Sequence, residues 1–458
     1  MKLRPILASI LGAVFPGVLP AATSVTSHGI TWTFAGDHET GAYINGDPWV
    51  VGPVVVVGIS NSLNSPAFTP RPGQNGSMVN PGTDDLQGYD STLSNYRAEL
   101  NAGLPGSAPV SPANPLPLAI NSTLVSAVSW LYNSPDDAER GIPRFNGGTK
   151  TPRPALRSAG LLTVVAEPPP PDSFRPPYVG TDKSARFQRS MIDYSRIPLL
   201  RAPASGAPRL DGLADSLERT WLDHVNNFMG GFTHPSDHMP DYGRDMARIV
   251  AEATLVLFTD PSPAGANPAK DRLLAGLVQF GLDLTGIADN GGHWGANGGH
   301  CLGRKWPILF TGVLLDDAHM KNVGRWTTRF QEDEQTFYVD EESVRLTRSS
   351  EWSPDKRAPR VPYTEADIGT PEWGITHAKK PTSDNAAWQA PYRDINGAII
   401  PSFALAARAM GLREAWNHDA FFDYCDRYMT WKDSNPPVAN RPTVFMQAMW
   451  DLHRPAYK

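Results

Sequence analysis

Two cysteines in 458 residues, Cys301 and Cys425, are too few for a disulfide scaffold. That count is compatible with one bridge or with two free thiols. Positive charge is not in excess either: 41 Lys and Arg face 47 Asp and Glu, for a net charge of −6. This excludes a general basic field for nucleic acid or an anionic membrane, so any anionic substrate must be gripped by local Arg and Lys. Beyond the N-terminal segment, no run reaches the roughly 18 uncharged apolar residues that a membrane span needs. There is no GxSxG elbow, phosphate loop or dinucleotide fingerprint, which disfavours esterases, kinases and dehydrogenases. H-E-x-x-H and any fixed-period repeat are absent as well.

Proline and glycine are abundant, at 44 and 40 residues, and imply long structured loops. The N-terminus, MKLRPILASILGAVFPGVLPAAT, sets Lys2 and Arg4 before an apolar run and small residues at Ala21 and Ala22. That is a secretory pattern, and it predicts a signal peptide over residues 1–22 and a secreted or periplasmic protein. Over residues 23–200 the signal is β and loop. GITWTF, WVVGPVVVVGI, LPLAINSTLVSAVSWLY and SAGLLTVVAE are β-branched or apolar runs bounded by turn residues.

After about residue 205 the period changes to 3.6. Leu273, Leu277, Phe280, Leu284 and Ile287 mark one helical face, and KWPILFTGVLLDDA repeats the pattern. These features predict an α+β chain: a β-rich, sandwich-like domain followed by an all-helical α/α toroid or incomplete barrel over residues 201–458. A compact irregular helical domain is the alternative.

Chemistry concentrates in loops between the helices. The stretch DNGGHWGANGGHCLGRKWP, Asp289 to Pro307, holds Asn290, His293, Trp294, Asn297, His300, Arg304 and Lys305 among six glycines. GGFTHPSDHMPDYGRD offers His234, Asp237, His238, Tyr242, Arg244 and Asp245. FQEDEQTFYVDEE offers Glu332, Asp333 and Glu334, and a last loop offers Glu372, Trp373, His377, Trp388, Tyr392 and Arg393. Indole faces suit the apolar side of a sugar, and Arg suits a carboxylate. A polysaccharide or oligosaccharide is therefore the expected partner. The sequence sets no oligomeric state.

The helical half resembles a family of secreted bacterial proteins carrying YGRDMAR, NGGH…GRKWPILF, EDEQTFYV, APYRD and WNHDAFFDYCDRYM. Its layout is similar, more distantly, to helical-toroid polysaccharide lyases acting on uronate polymers such as alginate. That resemblance implies β-elimination, in which the C5 proton leaves once the adjacent carboxylate is neutralised. Arg393 or Arg304 with Asn290 or Asn297 would neutralise it, and His300 or His293 would be the base. Tyr392 or Tyr242 would protonate the leaving oxygen, or act as base beside an Arg. Arg244 joins the catalytic candidates. Lys305, Trp294, Glu334, Trp373 and Trp388 join Asn290, Asn297 and Arg304 as substrate-binding ones. The reading requires segments near 240, 300, 335 and 390 to meet at one groove.

Structural roles compete at each position. Arg304 and Lys305 suit a helix start, Arg244 with Asp245 a helix-start ion pair, His418 a cap, and Glu332 to Glu334 a solvated face. A glycoside hydrolase would instead pair carboxylates among Asp245, Glu332, Asp333, Glu334 and Glu372. A non-catalytic glycan-binding or surface protein is a further alternative. No cofactor is called for. Of metals, a structural calcium is favoured over a catalytic transition metal, because Pro235 and Pro240 separate His234 and His238 from any regular helical pairing.

Overall fold

The computed structural model of the protein describes residues 21–64, 69–131, 154–219, 221–236, 243–348, 362–374, 395–434 and 442–457. Tyr242, Trp388, Tyr392 and Arg393 lie outside the described residues, as do Asp237, His238 and His377.

The strands are β1 (Ala21–Ser27), β2 (Ile30–Ala42), β3 (Pro48–Val51), β4 (Val54–Asn61), β5 (Ser77–Val79), β6 (Leu116–Leu118), β7 (Ser122–Ser129) and β8 (Leu156–Val165), with β9 (Thr336–Tyr338) and β10 (Pro371–Trp373) paired further on. The first eight form one sheet, ordered β5-β7-β8-β3-β2-β4-β6, with β1 also on β2. The 13-residue β2 pairs with β4 at its Ile30–Phe34 end and with β3 at Thr40–Ala42. A register shift between Thr33 and Phe34 bends it, and the sheet curls into a half-barrel.

This corrects the expected sandwich. A sandwich stacks two sheets, each with one solvated face, yet every residue of β7 is buried. Leu124 and Val128 point into the hollow of the curl with Trp32, Val56 and Leu162, while the alternate Val125 and Ala127 join the core of the helical part. A single curved sheet is thus covered by its own curvature on one side and by helices on the other.

The helices are α1 (Leu210–Leu217), α2 (Gly230–Thr233), α3 (Gly243–Thr259), α4 (Pro268–Asp289), α5 (Lys305–Leu314) and α6 (Ala318–Lys321). They continue as α7 (Gln331–Gln335), α8 (Glu341–Arg348), α9 (Ile400–Ala409), α10 (Arg413–Trp416), α11 (Asp419–Ser434) and α12 (Val444–His453). Asn267 caps α4 by accepting from Ala269 N at 3.2 Å, and Leu273, Leu277, Phe280, Leu284 and Ile287 are all buried along it. The expected toroid is also corrected. Helix lengths run from four to 22 residues, and α1 and α5 pack on the central α4 rather than in a ring of matched hairpins. Among the described residues no helix is long and apolar enough to cross a membrane. Cys301 and Cys425 are both free and buried.

Candidate functional site

The glycine-rich loop between α4 and α5 is held by α7, four of whose residues in succession bind it. Gln331 Oε1 accepts from Cys301 N at 3.0 Å, while its Nε2 donates to Gly298 O. Glu332 accepts from Gly303 N at 3.2 Å and Lys305 N at 3.3 Å. Asp333 pairs with the Lys305 ammonium, and Glu334 accepts from Ala296 N at 2.7 Å. The acidic run expected to be a solvated face is therefore a clasp. Glu332 is wholly buried at the start of α5, and burial together with Asp333 pushes its carboxyl up to about 7.

The clasped loop meets two other segments. Asn396 Nδ2 donates to Gly298 O at 2.9 Å. The first residue of α3, Gly243, is pressed so close that a Cβ there would lie 1.9 Å from His300 O. Segments near 243, 300, 335 and 396 thus come together, mainly through buried contacts between protein groups.

Between the loop, the start of α3 and the segment 223–234 is a cavity of about 10 Å³, lined by residues including Asp223, Asn226, Asn227, His234, Trp294, His300 and Arg304. Arg304 is only 2% exposed and binds Asp223 with two donors, Nε at 2.7 Å and Nη2 at 3.0 Å. Its charge is committed to Asp223 rather than to a carboxylate from solution. Asp223 Oδ1 also lies 3.2 Å from His234 Nε2. Burial pushes the Asp223 carboxyl up, but Arg304 and His234 outweigh it and hold the group well below the usual carboxylate range. The contact puts an N–H of His234 at Nε2, toward Asp223.

Beside this triad, His224 sits between two tyrosines, with Tyr178 Oη 3.1 Å from Nδ1 and Tyr89 Oη 3.4 Å from Nε2. Burial pushes it down to about 3, so it is neutral at ordinary pH. The Cys301 thiol donates to Asn226 O at 3.1 Å, and burial pushes it up to about 12. It is therefore no nucleophile.

Three of the residues that line the cavity each carry a buried polar atom, His234 Nδ1, Asn226 Nδ2 and Trp294 Nε1, with no hydrogen-bond partner among the described residues. Their residues are 2%, 6% and 0% exposed. Buried polar groups are nearly always paired, so three such atoms among the residues of one cavity mark a site.

The other sequence candidates fall elsewhere. His300 lines the cavity half-buried, with Phe228 edge-on to its ring at 5.0 Å. Arg244 follows Gly243 and pairs with Asp245 at 3.0 Å. Asn297 O accepts from His300 N at 3.0 Å, whereas His293 is half-buried and does not line the cavity. Asn290 closes α4 and lines a different pocket of about 440 Å³, bordered by residues 174–187 and His319. Lys305 is buried, with its ammonium over Trp416 at 5.0 Å, and Trp373 is fully buried against Tyr424, so neither faces solvent. Glu334 lines an open groove of about 740 Å³ with Asp333, Tyr338, Asp340, His418 and Asp419. His418 stands directly before α11, where its carbonyl accepts from Phe421 N at 3.2 Å and its Nε2 lies 2.8 Å from Thr336 O.

Sequence reasoning missed Asp223, Asn226 and Asn227. Their one signal is the polar pairing in WLDHVNNF, an Asp-His and an Asn-Asn set between large apolar residues. Among the described residues no group of three or more His, Cys, Asp and Glu could hold a metal ion. Comparison with known protein families, curated proteins and solved structures gives no match for this chain.

Proposed function

We propose that this chain is an exported carbohydrate-active enzyme that cleaves an acidic, uronate-containing glycan by β-elimination. The reading is carried by one observation: His300, Asn226 and Asn227 line one cavity whose wall includes Gly243, the residue before Arg244. A base and two amides thus line one cavity, and Arg244 follows one of its lining residues; removal of a C5 proton beside a carboxylate would use such groups together. The cavity admits a group no larger than a water, so the sugar ring would lie at its mouth. His300, half-buried, would take the proton, with Arg244 and Asn227 on the carboxylate. Export is supported by the N-terminal charge and apolar pattern.

One observation favours a second reading. Asp333 and Glu334 line the 740 Å³ groove, which has room for a sugar that the small cavity lacks. A hydrolase would use that pair on a neutral glycan. Glu332 and Glu372 are fully buried and drop out of that role. Purified protein is to be screened on uronate and neutral polysaccharides while ultraviolet absorbance and reducing ends are followed together. Elimination raises both signals, whereas hydrolysis raises reducing ends alone. On a confirmed uronate substrate, His300→Ala is expected to lower kcat by at least about 100-fold. Unchanged kcat would remove His300 from the mechanism.

A further inference from the structure

We propose that the cavity beneath His300 is a pocket for one free sugar hydroxyl, which makes the enzyme selective for glycans unsubstituted at that position. His234 Nδ1 accepts the hydroxyl proton, and Asn226 Nδ2 and Trp294 Nε1 donate to its oxygen. This rests on the glycan reading above and adds to it a substrate feature that the reading does not contain.

Size is the first argument. About 10 Å³ is close to the space of a single water-sized probe, enough for a hydroxyl and too small for a carboxylate, an acetyl ester or a sulfate. Charge is the second. Arg304 and Asp223 neutralise one another and His224 carries no charge, so with His234 in the neutral form proposed for it the cavity calls for a neutral occupant. The third is the match of donors and acceptors. A hydroxyl has one proton to give and two lone pairs to fill. The lining residues carry one imidazole nitrogen and two N–H groups that are buried and have no hydrogen-bond partner among the described residues. An ammonium group would meet two donors head-on, and an anion would meet the lone pair of His234.

Asp223 is the positioning residue. Its contact with His234 Nε2 fixes the tautomer, and Arg304 fixes Asp223 in turn. Half-buried Asn227 and His300 stand between the cavity and solvent, so a ring at the mouth can insert one hydroxyl and no more. A site built to hydrogen-bond a hydroxyl strongly rejects analogues that lack it, because its own buried groups are left unpaired.

Two experiments test the pocket. In the first, histidine-labelled full-length protein is read by long-range nitrogen–proton NMR, with His234→Gln used to assign the signal. The expected result is a neutral ring protonated at Nε2, with that preference lost in Asp223→Asn. A ring protonated at Nδ1, or an imidazolium at neutral pH, overturns the proposal. In the second, an O-acetylated polyuronate is compared with the same polymer after alkaline de-esterification. The freed polymer is expected to be turned over at least about 100-fold faster, and Asn226→Ala and Trp294→Phe each to lower its kcat/KM by about 10-fold. Equal rates on the two polymers overturn the pocket.

If neither polymer reacts, the uronate reading fails on its own. The pocket is then judged at the His234 Nδ1 resonance, titrated with methyl glucoside and with its fully O-methylated form. Movement with the first alone supports a hydroxyl pocket. Movement with both, or with neither, overturns it.

Discussion

Two arginines, Arg175 and Arg304, are fully buried among the described residues, and they are used in opposite ways. Arg175 lies between the sheet and the helices, its Nε on Asp47 at 2.6 Å, its Nη2 on Asp283 at 2.7 Å and its Nη1 on Pro176 O at 2.7 Å. Every nitrogen of that guanidinium donates, and the ion pairs tie the strand β3 end of the sheet to helix α4. Arg304 is equally buried and well bonded to Asp223, but its network ends at His234 Nδ1, which has no hydrogen-bond partner among the described residues. The first cluster bonds every guanidinium nitrogen and joins two halves of the fold. The second borders a cavity. What the buried charge is bonded across, rather than burial or charge itself, separates a clamp from a site.

The sharpest way to break this comparison is to remove the clamp. Arg175→Met leaves the Asp47 and Asp283 carboxylates buried without their cation, and should lower stability by about 3–5 kcal/mol in urea unfolding. A loss under about 1 kcal/mol would mean that the halves are joined by their shared apolar core alone.

Buried carboxylates sharpen it next. Asp223 and Glu332 are both out of solvent, yet one is shifted down and the other up to about 7, because Asp223 has Arg304 whereas Glu332 has backbone N–H groups and an adjacent Asp333. With its folded pKa raised from 4.5, Glu332 holds a proton in the folded chain that the unfolded chain has released. Its contribution is present at low pH and is lost as pH rises from about 4.5 to about 7. His224, shifted down to about 3, acts in the other direction over the acid range, so the informative quantity is the difference between variants. Relative to Glu332→Gln, the wild type should lose up to about 3 kcal/mol between pH 4 and pH 8. A constant difference across that range would contradict the shift.

The loop itself offers the next test. Gly243→Ala forces a methyl against the His300 carbonyl, which is backbone and cannot swing aside. A loss of about 1–3 kcal/mol is expected, and the His300 ring signal should move in NMR spectra. Retained stability and an unmoved signal would show that α3 does not brace the loop.

How much of this the sequence discloses differs between fold and site. The face of α4 is written in Leu273, Leu277, Phe280, Leu284 and Ile287, because a helix is a local object. The half-barrel is not written locally: β3 pairs with β8 at Trp49 and Thr163, more than a hundred residues apart, and strand periodicity carries no information on that partner. His300, Arg304 and Trp294 stand out in the sequence as loop residues of rich chemistry, and they do line one cavity. What Arg304 binds was hidden, since Asp223 lies 81 residues upstream. The glycines of the loop were also open to misreading. A Cβ at Gly295 would lie 2.8 Å from Glu334 Oε2, and one at Gly292 would lie 2.4 Å from Ile287 Cγ2. They make room for the protein's own groups, so the flexible run in the sequence is a tightly held loop in the fold.

The smallest effect on stability should come from the cluster at the cavity itself. Trp294 is fully buried and stacks on Phe330 at 5.9 Å, but its Nε1–H has no hydrogen-bond partner among the described residues. Trp294→Phe keeps an aromatic ring in that stack and deletes a buried donor that folding leaves unsatisfied. Removing such a donor returns desolvation free energy, while the smaller ring forfeits some packing. The two terms are of similar size, so the net change should be within about 1 kcal/mol in urea unfolding. Turnover on a confirmed substrate should nevertheless fall, because the same donor is engaged when a hydroxyl enters. A variant that lost as much stability as Arg175→Met would show that Trp294 Nε1 is part of a closed structural network, and the distinction between clamp and site would not hold.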